Sequence, residues 1–162
     1  YAYLIKVPVN LFNSSGQLVD TDYTYTTLDL PAGKKSCFRL SIYDPPADWS
    51  YFRFESPTYY TSANKSWPNL TLYNHYGTLL PDGGYKILGF VRNDESSRLE
   101  SVTVEGALYN ANGVVVGCGL TWPSNDNLDP GQTSSFELSY SYYYRTYSDV
   151  TSYRLQADGY VP

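Results

Sequence analysis

The chain has 162 residues and a formal net charge of −5; 42% of its residues are hydrophobic and 17% are charged. This composition supports a packed core and excludes a disordered chain. An acidic, charge-poor chain also disfavours nucleic acid as a partner, because nucleic-acid binding requires clustered Lys and Arg.

Tyrosine is the outlier of the composition, with 19 copies beside 6 Phe and 3 Trp. Tyr favours half-buried β-strands and covers a surface without adding charge. The sequence contains no Met, so we expect Tyr1 to be a processed or trimmed end. No apolar run approaches the ~20 residues that cross a bilayer, and the sequence therefore predicts no membrane span.

The first predicted element is a strand in which Ile5, Val7 and Val9 alternate with polar residues or proline. Period-two alternation is typical of a half-buried strand. The Asn- and Gly-containing turn at 13–16 predicts a hairpin with the apolar residues that follow it. Alternation at 38–40 and at 51–55 predicts two further strands.

The same pattern recurs about 100 residues later, which indicates an internal repeat. The matching blocks are Leu11–Gly16 with Leu108–Gly113, Leu30–Leu40 with Leu128–Leu138, and Phe52–Phe54 with Tyr153–Leu155. Many short strands separated by turns, without a 3.6-residue period, predict an all-β fold. We expect two tandem immunoglobulin-like β-sandwich domains.

The predicted first domain is 1–56 with part of 57–83, and the predicted second domain is 84–162. The segment between them contains several Pro and Gly residues and is expected to be mostly linker, although Leu70–Tyr73 alternates weakly. Domains of about 80 residues are marginally stable alone, which favours an additional link or an assembly partner.

The second copy resembles the FxLYD-type immunoglobulin-like surface domains. The resemblance lies in the segments Ile87–Asn93, Val102–Val104, Leu108–Asn110, Leu128–Gly131 and Phe136–Leu138, and covers about half of the chain. It implies a β-sandwich at a cell surface and no catalytic residues.

The two copies differ at their start, because the second copy has an opening strand at 87–93 that the first one lacks. A sandwich without a strand exposes a core groove and unpaired edges, which a strand from another subunit often fills. The predicted strand-exchange residues are Tyr1, Tyr3, Ile5, Val7 and Val9. Pro8 is expected at an edge position.

Three interpretations of the incomplete first copy are open. The N-terminal strand is either donated to a neighbour or belongs to its own domain. In the second case, residues near 70–80 fold back and complete the domain within the chain. Truncation of the sequence is the third interpretation.

Covalent modification is predicted at five positions. Cys37 and Cys118 are the only cysteines and lie in different repeats, so we expect one disulfide bond between them in an oxidising compartment. The alternative is two separate buried thiols. The sequons at Asn13, Asn64 and Asn69 lie beside predicted turns or in the linker and are expected to carry N-glycans.

The sequence contains no pattern that predicts catalysis, a metal site or a cofactor. Its single histidine, His75, lies in the expected linker, and a solvent-exposed turn residue is the simplest interpretation. Scattered Asp residues lack EF-hand spacing.

We therefore expect a structural subunit of an extracellular filament or cell-surface layer, a homopolymer of identical subunits joined by β-strand exchange. Its assembly logic is similar to that of archaeal thread-like filaments. The alternative is a secreted carbohydrate-binding module that uses exposed aromatic rings, for which the candidates are Trp49, Trp67, Trp122 and Tyr140–Tyr144.

Overall fold

The computed structural model describes residues 1–63, 66–141, 143 and 145–162, and every regular element in these ranges is a β-strand. This confirms the all-β prediction. No helix in the described part is long and apolar enough to cross a membrane. The strands are β1 (Ala2–Asn13), β2 (Leu18–Tyr25), β3 (Trp49–Phe54), β4 (Thr58–Thr61), β5 (Leu70–Leu79), β6 (Tyr85–Asn93), β7 (Glu100–Asn110), β8 (Val115–Thr121), β9 (Thr133–Tyr140) and β10 (Val150–Tyr160).

The chain divides into two compact units, unit 1 (Tyr1–Lys65) and unit 2 (Ser66–Pro162). The boundary falls inside the segment 57–83, which the sequence suggests as a linker. That segment contains β4 and β5, and β5 pairs with β6 in unit 2. Residues 70–79 therefore belong to unit 2 in this structure.

Unit 2 has a sandwich-like arrangement of two antiparallel three-stranded sheets, ordered β10-β7-β8 and β5-β6-β9. Both sheets supply side chains to one core, and alternation along each strand points these side chains inward. The core residues of the strands are Ile87 and Val91 on β6, Val102, Val104 and Leu108 on β7, Phe136, Leu138 and Tyr140 on β9, and Ala157 on β10.

The strands described in unit 1 form one antiparallel sheet, in which β1 lies between β2 on one side and β3 and β4 on the other. Alternate residues of β1 are buried, as the apolar alternation predicts; they are Ile5, Val7, Val9 and Leu11. β1 therefore holds the sheet of unit 1 together.

The sheet of unit 1 repeats the β10-β7-β8 sheet of unit 2 pair for pair. Phe52 pairs with Leu11 as Tyr153 pairs with Leu108. On the other side of the central strand, Val7 pairs with Thr24 as Val104 pairs with Thr121. The internal repeat therefore has a structural counterpart in strand register.

An irregularity in the central strand is also repeated. Leu4 in β1 and Ser101 in β7 both have positive φ, 49° and 52°, although neither is a glycine. Such a backbone is strained for a residue with a Cβ and is typical of a bulge. The two strands therefore share this local backbone conformation as well as the same pattern of apolar residues.

The one break in this correspondence is at Pro8. β10 is continuous, whereas its counterpart is split into β3 and β4. The split lies beside Pro8, which has no N–H to donate, although its carbonyl oxygen accepts a hydrogen bond from the Glu55 N–H at 3.0 Å. The expectation of an edge position was wrong: Pro8 lies in the central strand and is accommodated by the gap between its partners.

Candidate functional site

The most distinctive surface of the molecule is an apolar groove of about 410 Å³ in unit 1. Its floor is the buried face of β1, and its walls come from the segment 38–45 and from β3. All of its lining residues are apolar; they are Val9, Leu11, Phe38, Leu40, Ile42, Pro45, Trp49, Phe52 and Phe54. We call this the unit 1 groove.

Comparison with unit 2 explains why the groove is open. Tyr153 and Leu155 on β10 are half-buried against the core that the β5-β6-β9 sheet completes, and the Tyr153 ring packs on His75 of β5 with ring centroids 5.6 Å apart. Their counterparts on β3, Phe52 and Phe54, are 55% and 44% exposed. Within the described residues of unit 1, no strand corresponds to β5 or β6, so these two rings lie beside solvent.

The segment 36–42 is the counterpart of β9 and begins in the same way. The Thr27 N–H donates to the carbonyl oxygen of Cys37 at 3.1 Å, as the Ser124 N–H donates to that of Ser135 at 2.8 Å. The Ser36 hydroxyl accepts from the Leu28 N–H at 3.1 Å, as the Ser134 hydroxyl accepts from the Asn125 N–H at 2.8 Å.

Beyond this entry the two segments diverge. β9 continues as a strand paired along its length with β6. The segment 36–42 is not a strand: it forms an isolated β-bridge between Phe38 and Thr26, and the carbonyl oxygen of Arg39 accepts from Thr24 Oγ1 at 2.8 Å. The strand predicted at 38–40 is therefore wrong for the single chain. The physical reason is that its β6-like partner is not supplied.

The predicted strand-exchange residues all lie at or in β1. Ile5, Val7 and Val9 face the core of unit 1, and Tyr3 stacks on Tyr60 with ring centroids 5.7 Å apart. The carbonyl oxygen of Tyr1 accepts a hydrogen bond from the Ser62 N–H at 2.9 Å. Val9 is also part of the groove floor. A copy that placed its β1 in the groove of another copy would therefore remove the floor of its own groove.

The covalent predictions have different outcomes. Cys37 and Cys118 form a disulfide bond, which confirms the predicted pairing. Asn69 is exposed beside the start of β5. Asn13 is half-buried in the β1–β2 turn, where its Nδ2 donates to Gln17 Oε1 at 3.1 Å. Asn64 lies outside the described residues. Glycosylation stays a prediction at all three.

The aromatic residues considered for sugar binding do not share one environment. Trp122 is 60% exposed, Trp67 is half-buried, and Trp49 lines the unit 1 groove. Tyr143 is 81% exposed, and Tyr142 and Tyr144 lie outside the described residues.

Tyr140 belongs to the core of unit 2 and is not a surface residue. Its hydroxyl donates to the carbonyl oxygen of Gly106 at 2.8 Å. Burial, followed by the nearby Tyr147 and Glu105, raises the pKa of Tyr140 well above that of a free tyrosine. This ring therefore contributes to folding of unit 2.

His75 lies in β5, where its Nδ1 is 3.0 Å from the Tyr153 hydroxyl. In the described part of the chain, no three His, Cys, Asp or Glu side chains are grouped so that they could hold a metal ion.

No family model, curated protein or solved structure matches this chain.

Proposed function

We propose that the chain is a structural subunit of an extracellular filament or cell-surface layer, in which copies are joined by exchange of β1. The same proposal takes both units as tandem immunoglobulin-like domains similar to the FxLYD type. The repeated register and the two-sheet core of unit 2 support this assignment of fold.

The observation that carries the proposal is the position of β1 between β2 on one side and β3 and β4 on the other. If β1 of one copy takes this position in the next, every backbone pair of the sheet becomes a contact between copies. The buried faces of Ile5, Val7 and Val9 then fill the same core. Exchange therefore needs no new side-chain fit, as in domain swapping.

The turn at 13–17 is the hinge that such an exchange would open. In the closed chain it is held by hydrogen bonds from the Ser15 and Gln17 N–H groups to Asn13 Oδ1, at 3.1 and 3.0 Å. Opening the turn removes these local bonds. At low concentration, where few other copies are near, the chain therefore keeps β1 in its own sheet. Head-to-tail exchange is a heterologous contact, which extends into fibres when it does not close a ring.

The unit 1 groove is re-formed unchanged when β1 is exchanged, so exchange alone does not cover its exposed rings. Phe52 and Phe54 are about half exposed, and covering the remainder of each ring contributes on the order of 1 kcal/mol. A further contact between copies that covers these rings would favour assembly in addition to the exchange of β1. Predicted glycans at Asn13, Asn64 and Asn69 would limit pairing at other edges.

Electron microscopy of native surface material tests the proposal. We expect filaments or a layer whose subunits contain this chain. Native material in which the chain occurs only as a dispersed monomer would contradict it.

A second candidate function, carbohydrate binding, is favoured by a different cavity of about 480 Å³ in unit 1. Exposed tyrosines that can stack on sugar rings line it, together with polar groups; the lining residues are Leu4, Lys6, Tyr25, Thr58, Tyr59 and Tyr60. A glycan-binding assay that detects binding in the native chain and loses it in Tyr59→Ala would favour this function.

A further inference from the structure

We infer that the cavity of about 480 Å³ in unit 1 binds an acidic saccharide, a sugar that carries a carboxylate, and that Lys6 is the cation that pairs with this carboxylate. The inference rests on the second candidate function, carbohydrate binding, and names its ligand class. It is independent of the exchange of β1. We call this site the Lys6 cavity.

Pairing across three strands places the cation between an aromatic ring and a hydroxyl group. Lys6 points away from the core, because its neighbours Ile5 and Val7 on β1 are buried. It is paired with Tyr25 of β2 on one side and with Thr58 of β4 on the other. Residues that pair directly lie on the same face of a sheet, so the three side chains are neighbours on the outer face.

The charge of Lys6 is held in position but is not neutralised. Its Nζ lies 3.7 Å from the centroid of the Tyr23 ring, and a ring face attracts a cation without cancelling its charge. None of the ion pairs among the described residues includes Lys6. In the described part of the chain, the lining of the cavity contains no acidic side chain. A ligand with a negative charge therefore complements this site.

The rings of the cavity are ordered by contacts with other rings. Tyr60 stacks on Tyr3, and Tyr25 meets Tyr23 edge to face, each with ring centroids 5.7 Å apart. Tyr60 and Tyr25 are still 64% and 48% exposed, so both keep surface for a ligand. The C–H face of a sugar ring packs on such rings, and sugar hydroxyls bond to phenol hydroxyls. Rings that are already ordered lose less entropy on binding.

The corresponding surface of unit 2 does not carry the cation. The repeat places Thr103 at the position of Lys6, and the strand pairs place Asp158 at the position of Thr58. A lysine beside a hydroxyl in unit 1 is therefore a hydroxyl beside a carboxylate in unit 2. The positive charge is a property of unit 1 and is not required by the fold that the two units share.

One ring of the cavity is also specific to unit 1. Tyr59 lies between Thr58 and Tyr60, opposite the backbone irregularity at Leu4. The corresponding residue of unit 2, opposite the irregularity at Ser101, is Gly159. Tyr59 is 56% exposed and lines the cavity. Unit 1 thus has both a ring and a cation where unit 2 has neither.

The test is an NMR titration of the ¹⁵N-labelled full chain with trigalacturonic acid and with its methyl ester. Esterification removes the negative charges and leaves the sugar rings and their linkages. We expect the acid to bind about fivefold more tightly, the most that a partly exposed ion pair usually contributes. The amide signals of Lys6, Tyr25 and Thr58 should shift, and added salt should weaken binding of the acid alone.

Substitutions separate the charge from the rings. Lys6→Gln should lower the affinity for the acid about fivefold and leave the affinity for the ester unchanged, which also shows that the variant is folded. Lys6→Arg should keep the preference for the acid. Lys34→Gln makes the same change of charge at an exposed residue outside the cavity and should alter neither affinity. Tyr59→Ala should weaken binding of both ligands.

The possible failures are distinguishable. Equal affinity of the native chain for the acid and the ester, or a preference that survives Lys6→Gln, would overturn the inference and leave carbohydrate binding in place. No binding of either ligand would overturn both. Signals that shift around Thr103 and Trp122, and not around Lys6, would place the site in unit 2 and also overturn the inference.

Discussion

Asn13 and Asn110, 97 positions apart, form the same turn with the same hydrogen bonds. Asn13 Oδ1 accepts from the N–H groups two and four residues later, at 3.1 and 3.0 Å. Asn110 Oδ1 accepts from the corresponding groups, also at 3.1 and 3.0 Å. The glycine before the last of these residues has positive φ in both turns, 78° at Gly16 and 72° at Gly113.

The first prediction follows from this turn. Asn110→Ala removes the acceptor of two backbone N–H groups and should lower the free energy of unfolding by about 1 kcal/mol. Asn110→Asp keeps the acceptor oxygen and should stay close to the native value. Thermal unfolding followed by circular dichroism measures both; equal loss in the two variants would contradict the role of Oδ1.

Alkaline pH should destabilise unit 2 through Tyr140. Burial raises the pKa of Tyr140 above the free value of 10.0, and burial also raises the pKa of Tyr85 and Tyr153. The neutral rings therefore stabilise the fold below about pH 10, and this contribution is lost as the pH rises towards the folded pKa, because the unfolded chain ionises first.

Urea unfolding between pH 7 and 11 checks this prediction. Tyr140→Phe should show a weaker decline in unfolding free energy above about pH 10. At pH 7 the same variant should be about 0.5–1.5 kcal/mol less stable, because the hydrogen bond from the Tyr140 hydroxyl to the carbonyl of Gly106 is lost. If the unfolding free energy of Tyr140→Phe declines above about pH 10 as steeply as that of the native chain, the pKa of Tyr140 does not differ between the folded and unfolded chain.

The disulfide bond should stabilise the chain strongly. Cys37 and Cys118 close a loop of about 80 residues, for which the chain-entropy model gives ~4–5 kcal/mol. A phosphine reductant should lower the urea midpoint of the native chain and have no effect on the double variant Cys37→Ser with Cys118→Ser. A midpoint that reductant leaves unchanged in the native chain would argue against the bond as a source of stability.

Glycosylation should occur at Asn13, Asn64 and Asn69 in protein from the native source. The exposed side chain of Asn69 is accessible, and a glycan on Nδ2 of Asn13 leaves Oδ1 in the turn. Glycopeptide mass spectrometry should find modified peptides, and Asn69→Gln should remove one of them. Unmodified asparagine at all three positions would refute the prediction.

The internal repeat allowed much of the sheet of unit 1 and of its β10-β7-β8 counterpart to be predicted. The strands of these sheets show strong apolar alternation, and turn residues separate them. Matching Phe52–Phe54 with Tyr153–Leu155 gave the correct equivalence of β3 and β10. The same logic failed at 38–40, where the sequence resembles β9 but the described chain provides no β6-like strand beside it. A strand pattern alone does not specify whether a partner is present.

β5 was only weakly predicted for a local reason. Its register shifts between Tyr73 and Tyr76, and Asn74 has a positive φ of 47°. The bulge reverses which residues face the core halfway along the strand, so simple alternation ends at Tyr73. The unit 1 groove could not be predicted in its lining, because it depends on contacts between segments far apart in sequence.

The measurement that tests the central claim most directly is isotope-resolved cross-linking of the assembled protein. Tyr23 pairs with Pro8 across β2 and β1 and is 49% exposed, so a benzoylphenylalanine at position 23 would report which copy supplies β1. Equal amounts of ¹⁵N-labelled and unlabelled chains are assembled, irradiated and digested. Exchange of β1 predicts that half of the cross-links join a heavy chain to a light one, because strands then pair at random between copies. The other half join chains of the same isotope, heavy–heavy and light–light taken together. Assemblies in which position 23 is cross-linked to β1 of the same isotope alone would contradict strand exchange.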